Sequence, residues 1–134
     1  NIAGAAGFAA VVKEDAININ GLRDRLEAGL EDAMVFGRGC DRLPNTTCFA
    51  VPGMDAETLL MSLDLEGLAV SSGSACSSGK VARSHVLQAM GVAPEISKAA
   101  IRVSLGWTTT HQDIEHFIAV WQRLRARHKA RAAA

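Results

Sequence analysis

The sequence predicts an α+β fold, and two observations carry that reading. Short β-rich stretches at 35–37, 46–51, 68–70 and 100–105 alternate with five helical stretches of amphipathic pattern. In addition, the 134 residues hold no internal repeat and no interdomain linker, and 49% of them are hydrophobic against 21% charged. That length and balance suit one domain, residues 1–134, large enough to bury a real core.

The elements follow in order. Residues 2–16 read as a helix with Phe8, Val11 and Val12 on one side. Ala3, Gly4 and Gly7 would let another backbone come close, although a helix glycine costs about 1 kcal/mol relative to alanine. A second helix is predicted from Asn20 to Met34, because Leu22, Leu26 and Leu30 form an i, i+4, i+8 stripe opposite Arg23, Asp24, Arg25 and Glu27. Val35-Phe36-Gly37 reads as a short strand, followed by an exposed turn at Gly39-Cys40-Asp41-Arg42. Thr46 to Val51 is β-rich and is closed by Pro52-Gly53, with Cys48 inside it as a buried filler. Asp55 is placed to cap a helix whose Leu59, Leu60 and Leu63 face inward and which Gly67 stops. Leu68-Ala69-Val70 is predicted as a strand, and Ser84 as the cap of a short helix bearing Val86, Leu87 and Met90 and ending at Gly91. From Ala100 to Leu105 the pattern alternates, with Ile101, Val103 and Leu105 on one face and Arg102 on the other. Thr110 caps a long last helix with Ile114, Phe117, Ile118, Trp121 and Leu124 on its apolar side.

Fourteen basic residues balance fourteen acidic ones, so no bulk field argues for nucleic acid or an anionic membrane. The basic tail (Arg123, Arg125, Arg127, His128, Lys129, Arg131) sits where cations complement a helix dipole, and it has no interleaved aromatics for stacking bases. Cys40, Cys48 and Cys76 are odd in number and contain no CxxC, which argues against a disulfide framework or a zinc site and for a reducing cytoplasm. His85, His111, His116 and His128 lack metal-ligand spacing and read as surface or structural histidines. The chain opens at Asn1 without methionine, and its apolar start meets Lys13, Glu14 and Asp15 at once. That fits neither a signal peptide nor a membrane span of about 20 residues, and the expectation is a fragment of something longer.

The most informative stretch is Ser71-Ser72-Gly73-Ser74-Ala75-Cys76-Ser77-Ser78-Gly79. It has no capacity to build a core and little helix or strand preference, so it reads as a mobile loop slung from a strand end. A thiol at its centre is out of place for a residue that usually behaves as a small buried hydrophobe. The bland alternative is an incidental thiol in a linker-like loop. A phosphate loop fails on spacing: five residues separate Gly73 from Gly79, and Val81 stands where the magnesium-binding hydroxyl belongs. No general base is identifiable, so no hydrolase triad can be assembled around Cys76. A nucleophile without a base suggests that activation of the substrate comes from elsewhere, for instance a cofactor.

Three stretches together resemble the C-terminal part of cysteine desulfurases of the long-loop group that supplies sulfur for iron–sulfur cluster and nitrogenase assembly. They are Leu68 to Gly79, Ser84-His85-Val86-Leu87-Gln88-Ala89-Met90-Gly91 and Ile101-Arg102-Val103-Ser104-Leu105-Gly106. Leu43-Pro44-Asn45-Thr46, Glu57-Thr58-Leu59-Leu60 with Leu63-Asp64, and Asn1-Ile2-Ala3-Gly4 support the likeness, which covers essentially the whole chain. It implies the small C-terminal domain of a fold-type I, pyridoxal-phosphate-dependent transferase of the class V aminotransferase family, with a short, mostly antiparallel sheet packed with helices.

The resemblance implies that Cys76 is the nucleophile. Its thiolate would take the sulfur of L-cysteine as a persulfide, with release of L-alanine. Arg102 matches the arginine that holds the substrate's α-carboxylate, a task suited to a planar bidentate donor, with an ordinary surface ion pair as the alternative. It further implies pyridoxal 5'-phosphate as cofactor, a sulfur-acceptor or iron–sulfur scaffold protein as partner, and a cytoplasmic homodimer when intact, with no nucleic acid and no membrane. The cofactor's lysine lies in a Ser-x-His-Lys setting in the family, which none of Lys13, Lys80, Lys98 or Lys129 has. The expectation is therefore a part-domain that is inactive alone. Arg83 stands where the family commonly has proline, and Trp107 where a basic residue is frequent. The competing readings are a selenocysteine lyase or aminotransferase relative, and a non-catalytic sulfur-carrier or interaction module.

Overall fold

The computed structural model describes residues 2–13, 19–72 and 84–133. Among them run α1 (Ile2–Lys13), α2 (Asn20–Gly29), β1 (Met34–Val35), β2 (Thr46–Ala50), α3 (Ala56–Asp64), β3 (Ser71–Ser72), α4 (His85–Ala89), α5 (Pro94–Lys98), β4 (Ala100–Ser104) and α6 (His111–Ala132). The four strands form one sheet in the order β1-β2-β4-β3, with every neighbouring pair antiparallel. The longest ladder joins β2 to β4 from Thr46↔Ser104 to Ala50↔Ala100.

Strand alternation divides the sheet into two unlike faces. Phe49, Ile101 and Val103 point into the main core with Leu22, Leu26 and Leu30 of the α2 region, Leu59 and Leu63 of α3, and Ile114, Phe117, Ile118 and Trp121 of α6. Trp121 and Phe49 are fully buried and meet edge to face, with ring centroids 5.1 Å apart and planes at 82°. Burying each such side chain contributes about 1.5–3 kcal/mol. The opposite face carries a smaller cluster of Phe36, Ala50, Leu87, Ala99 and Ala100, supplied partly by α4 and α5. That cover ends at one end of the sheet, and beyond it Arg102 and Ser104 are exposed.

Local signals set most boundaries. The Asp55 carboxylate accepts from the Thr58 N–H at 2.9 Å and starts α3, while Gly67 at φ 78° turns the chain after it. Ser84 caps α4 by accepting from the Leu87 N–H at 3.3 Å. Thr110 and Asp113 form a reciprocal capping box on α6.

Other boundaries correct the sequence reading. The second helix ends at Gly29 rather than Met34. Asp32 lies beyond it at φ 61°, and this left-handed turn reverses the chain so that Met34 opens β1. Leu68-Ala69-Val70 is not a strand, because pairing with β4 begins only at Ser71; Leu68 and Val70 are half-buried against the main core. Two serines assigned to a loop are therefore strand residues. The turn at 39–42 is exposed at Cys40 and Asp41, but Arg42 folds back onto Glu27. Helix α5, started by Pro94 at its first position, was not foreseen, and Val120 joins the buried side of α6.

Among the described residues nothing lies within 4 Å of a Cβ built on Gly7, whereas one built on Gly29 would stand 2.5 Å from Ile118 Cγ1. The missing side chain of Gly29 is what lets α2 settle on α6. Residues 14–16 of the expected first helix lie outside the described residues.

Much of the basic tail is tied to the domain. Lys129 hydrogen-bonds Asp32, Arg123 bonds Glu66 at 2.7 Å, and Arg125 stands 6.0 Å from the Trp121 ring centre and 3.6 Å from Asp32. The His128 Nε2 is 3.0 Å from the Gly53 carbonyl, and the His116 Nε2 is 3.3 Å from that of Glu66. Among the described residues no helix is long and apolar enough to cross a membrane.

Candidate functional site

β4 is the platform of the site. Its alternation sends Ile101 and Val103 into the core and leaves Arg102 on the other face, as the sequence predicts. The Arg102 side chain is exposed and has no hydrogen bond or ion pair among the described residues. An arginine of this kind, with its five donors uncommitted, is equipped to take a carboxylate in bidentate fashion.

Its neighbours are fixed by register. Cys48 of β2 is its partner on one side and Ser71 of β3 on the other. Directly opposed residues of an antiparallel pair share a face with their Cβ atoms about 4.5–5.5 Å apart, so Cys48, Arg102 and Ser71 form one row across the sheet. Cys48 is half-buried and packs against the smaller cluster around Phe36 and Ala50. Burial pushes its thiol above the usual cysteine range, and the positive charge of Arg102 pulls it partway back. Cys48 is thus both the filler the sequence suggested and the side neighbour of Arg102. Ser71 is missed as a neighbour of Arg102 for the same reason that β3 is missed: a serine pair carries no strand signal of its own.

Cys76 and Arg83 lie outside the described residues. Trp107 is 77% exposed, and nothing in the structure explains its place there.

Residues 2–117 match the family model described as aminotransferase class-V. The chain belongs to the class-V aminotransferase family. A cysteine desulfurase of Cereibacter sphaeroides is 45% identical over 103 residues, covering 74% of this chain and 27% of the relative. The cysteine desulfurase IscS of Dictyoglomus turgidum is 34% identical over 135 residues, covering 92% of this chain and 34% of the relative. Among solved structures, a NifS-like protein from Rickettsia africae superposes with a TM-score of 0.71 at 36% identity, over 86% of this chain and 30% of that one. The α+β fold expected from the sequence is therefore shared with this NifS-like protein. The chain spans about a third of the length of these relatives.

Pyridoxal phosphate is the cofactor this family implies, and the described residues fit only part of its needs. Arg102 suits the carboxylate of an amino-acid substrate. Among the described residues, Lys129 is committed to Asp32 near the end of α6, and Lys98 closes α5.

Proposed function

We propose that this chain is the small, C-terminal domain of a pyridoxal-phosphate-dependent cysteine desulfurase. Cys76 would accept sulfur and Arg102 would hold the substrate. The observation that carries the proposal is the uncommitted guanidinium of Arg102 in register with Ser71, on the strand that leads to Cys76. Cys76 is four residues on from Ser72, a tether of at most about 14 Å. The cysteine desulfurases among the relatives support the choice within the family.

In this reading Arg102 pairs with the α-carboxylate of L-cysteine and fixes its orientation. Pyridoxal phosphate, bound by a larger domain beyond this chain, supplies the electron sink that makes the substrate's sulfur open to attack. The Cys76 thiolate forms a bond to that sulfur, and the carbon–sulfur bond breaks. Its electron pair stays on carbon, which is protonated to leave L-alanine, and the enzyme retains the sulfur as a persulfide. No external oxidant or reductant is needed. An acceptor or iron–sulfur scaffold protein then takes the sulfur. A cytoplasmic homodimer is part of the same proposal.

The test is to join this domain to the cofactor-binding segment and follow L-alanine release from L-cysteine, with mass analysis of Cys76. A gain of one sulfur on Cys76, with alanine formation lost in Cys76→Ala, is expected. Alanine formation that survives Cys76→Ala would overturn the role of Cys76 and point to an aminotransferase-like relative.

A further inference from the structure

The row that holds Arg102 has two other members, and neither has a role in the reading above. The Ser71 side chain has no hydrogen bond among the described residues, is half-exposed, and faces Arg102 from β3. Cys48 faces it from β2, small and half-buried. Opposite-charge pairs are favourable at directly opposed positions, yet neither flank of Arg102 offers a carboxylate.

We infer that Ser71 and Cys48 complete a carboxylate subsite around Arg102, with the Ser71 hydroxyl as a second donor to the anion and Cys48 as the uncharged flank that keeps the guanidinium free. The inference rests on the reading of Arg102 as a substrate anchor and adds residues to it. A planar carboxylate has lone-pair positions beyond the two that an arginine fork fills, and a hydroxyl about one cross-strand spacing away is placed to take one of them. On the other side, residue 48 has to be short and neutral. A carboxylate there would be held by Arg102 at all times and would compete with the ligand at an effective concentration no free acid matches. A long apolar residue would lie across the guanidinium.

The experiment uses the full 134-residue chain and sodium acetate as the probe, with the Arg102 Nε–Hε signal followed by nuclear magnetic resonance. The signal should move saturably with acetate. Ser71→Ala should weaken that binding about two- to tenfold, the range of one neutral hydrogen bond, and Ser71→Thr should restore it to within about twofold. Cys48→Asp should abolish the acetate response, while the equally sized Cys48→Asn should keep it. The inference is overturned if acetate leaves the Arg102 signal unmoved, if Ser71→Ala binds as well as the parent, or if Cys48→Asn fails as completely as Cys48→Asp. Acetate binding needs no cofactor, so it is separable from the desulfurase reading. A chain that passes these tests, but whose joined form makes no alanine from cysteine, keeps the subsite and loses the activity.

Discussion

Arg102 and Ser71 stand opposite each other in the antiparallel ladder of β3 and β4, and Ser71 is also the first residue of the serine-rich run that holds Cys76. One strand pair therefore ties the proposed substrate anchor to the segment that bears the proposed nucleophile. Because the Arg102 side chain is exposed and, among the described residues, unpaired, its proposed role can be separated from stability. In the joined protein, Arg102→Gln is expected to raise the KM for L-cysteine by about ten- to a hundredfold, the range for a lost charge-assisted hydrogen bond. The unfolding free energy of the 134-residue chain should stay within about 0.5 kcal/mol of the parent, as for an exposed substitution. Chemical denaturation alongside steady-state kinetics checks both halves.

Cys48 offers a reporter on the same row. Its thiol is held high first by burial, and the Arg102 charge works against that. Removing the charge in Arg102→Gln leaves burial unopposed, so the Cys48 pKa should rise further. In a Cys40→Ser, Cys76→Ser background, the pH at which Cys48 becomes reactive toward a small alkylating reagent should move upward in Arg102→Gln. Alkylation profiles that coincide would show that the two side chains do not sense each other. A thiol raised on folding contributes stability below its unfolded pKa and loses it as pH climbs through the folded value, so any effect on folding belongs to the alkaline side.

How far the sequence discloses all this depends on what kind of signal each residue carries. The α6 stripe, the Asp55 and Thr110 caps and the alternation around Arg102 are local patterns, and each appears where periodicity places it. The end of α2 is not local. It depends on Gly29 meeting Ile118 and on the left-handed turn at Asp32, whose carboxylate accepts from Lys129 of α6. β3 fails for the same reason: Ser71 and Ser72 are strand residues because β4 is beside them, while the more β-prone Leu68 and Val70 have no partner strand and pack on the core instead. So the placement of Arg102 opposite the core is legible from its own strand, and its flanks, Cys48 and Ser71, emerge only once the register is known.

Glu27 and Arg42 form the most buried ion pair described. Arg42 Nη1 bonds Glu27 Oε1 at 2.8 Å and Nη2 bonds Oε2 at 3.1 Å, and the Glu27 side chain is only 7% exposed. Burial raises the Glu27 pKa, but the Arg42 hydrogen bonds and the charges of Arg42 and Arg23 outweigh it, so the carboxyl ends below its ordinary value. A carboxyl lowered on folding contributes stability above its unfolded pKa, near 4.3. That contribution is lost as pH falls through the lower, folded value. Glu27→Gln is expected to cost about 1.5–3 kcal/mol at pH 7 and to flatten the loss of stability below pH 4. Urea unfolding at pH 7 and at pH 3 measures the difference, and an equal cost at both would refute the linkage.

The last expectation concerns the seam between α2 and α6. A Cβ on Gly29 would meet Ile118 Cγ1 at 2.5 Å, Cδ1 at 2.6 Å and Cγ2 at 2.9 Å, separations that real side chains do not tolerate. In an exposed helix, replacing glycine by alanine stabilises by reducing backbone entropy in the unfolded chain. Here that gain competes with overpacking, which costs about 1–3 kcal/mol, because Ile118 is β-branched and stiff at χ1 and lies in a dense core. The clash should win, so Gly29→Ala is expected to destabilise the chain despite its better helix propensity. Ile118→Ala alone should also destabilise, by leaving a cavity. Combined, the two changes should cost less than their sum, since the alanine methyl then occupies space Ile118 has vacated. A double-mutant cycle by chemical denaturation reads this directly. Strict additivity would mean that α2 does not rest on Ile118 through the bare face of Gly29.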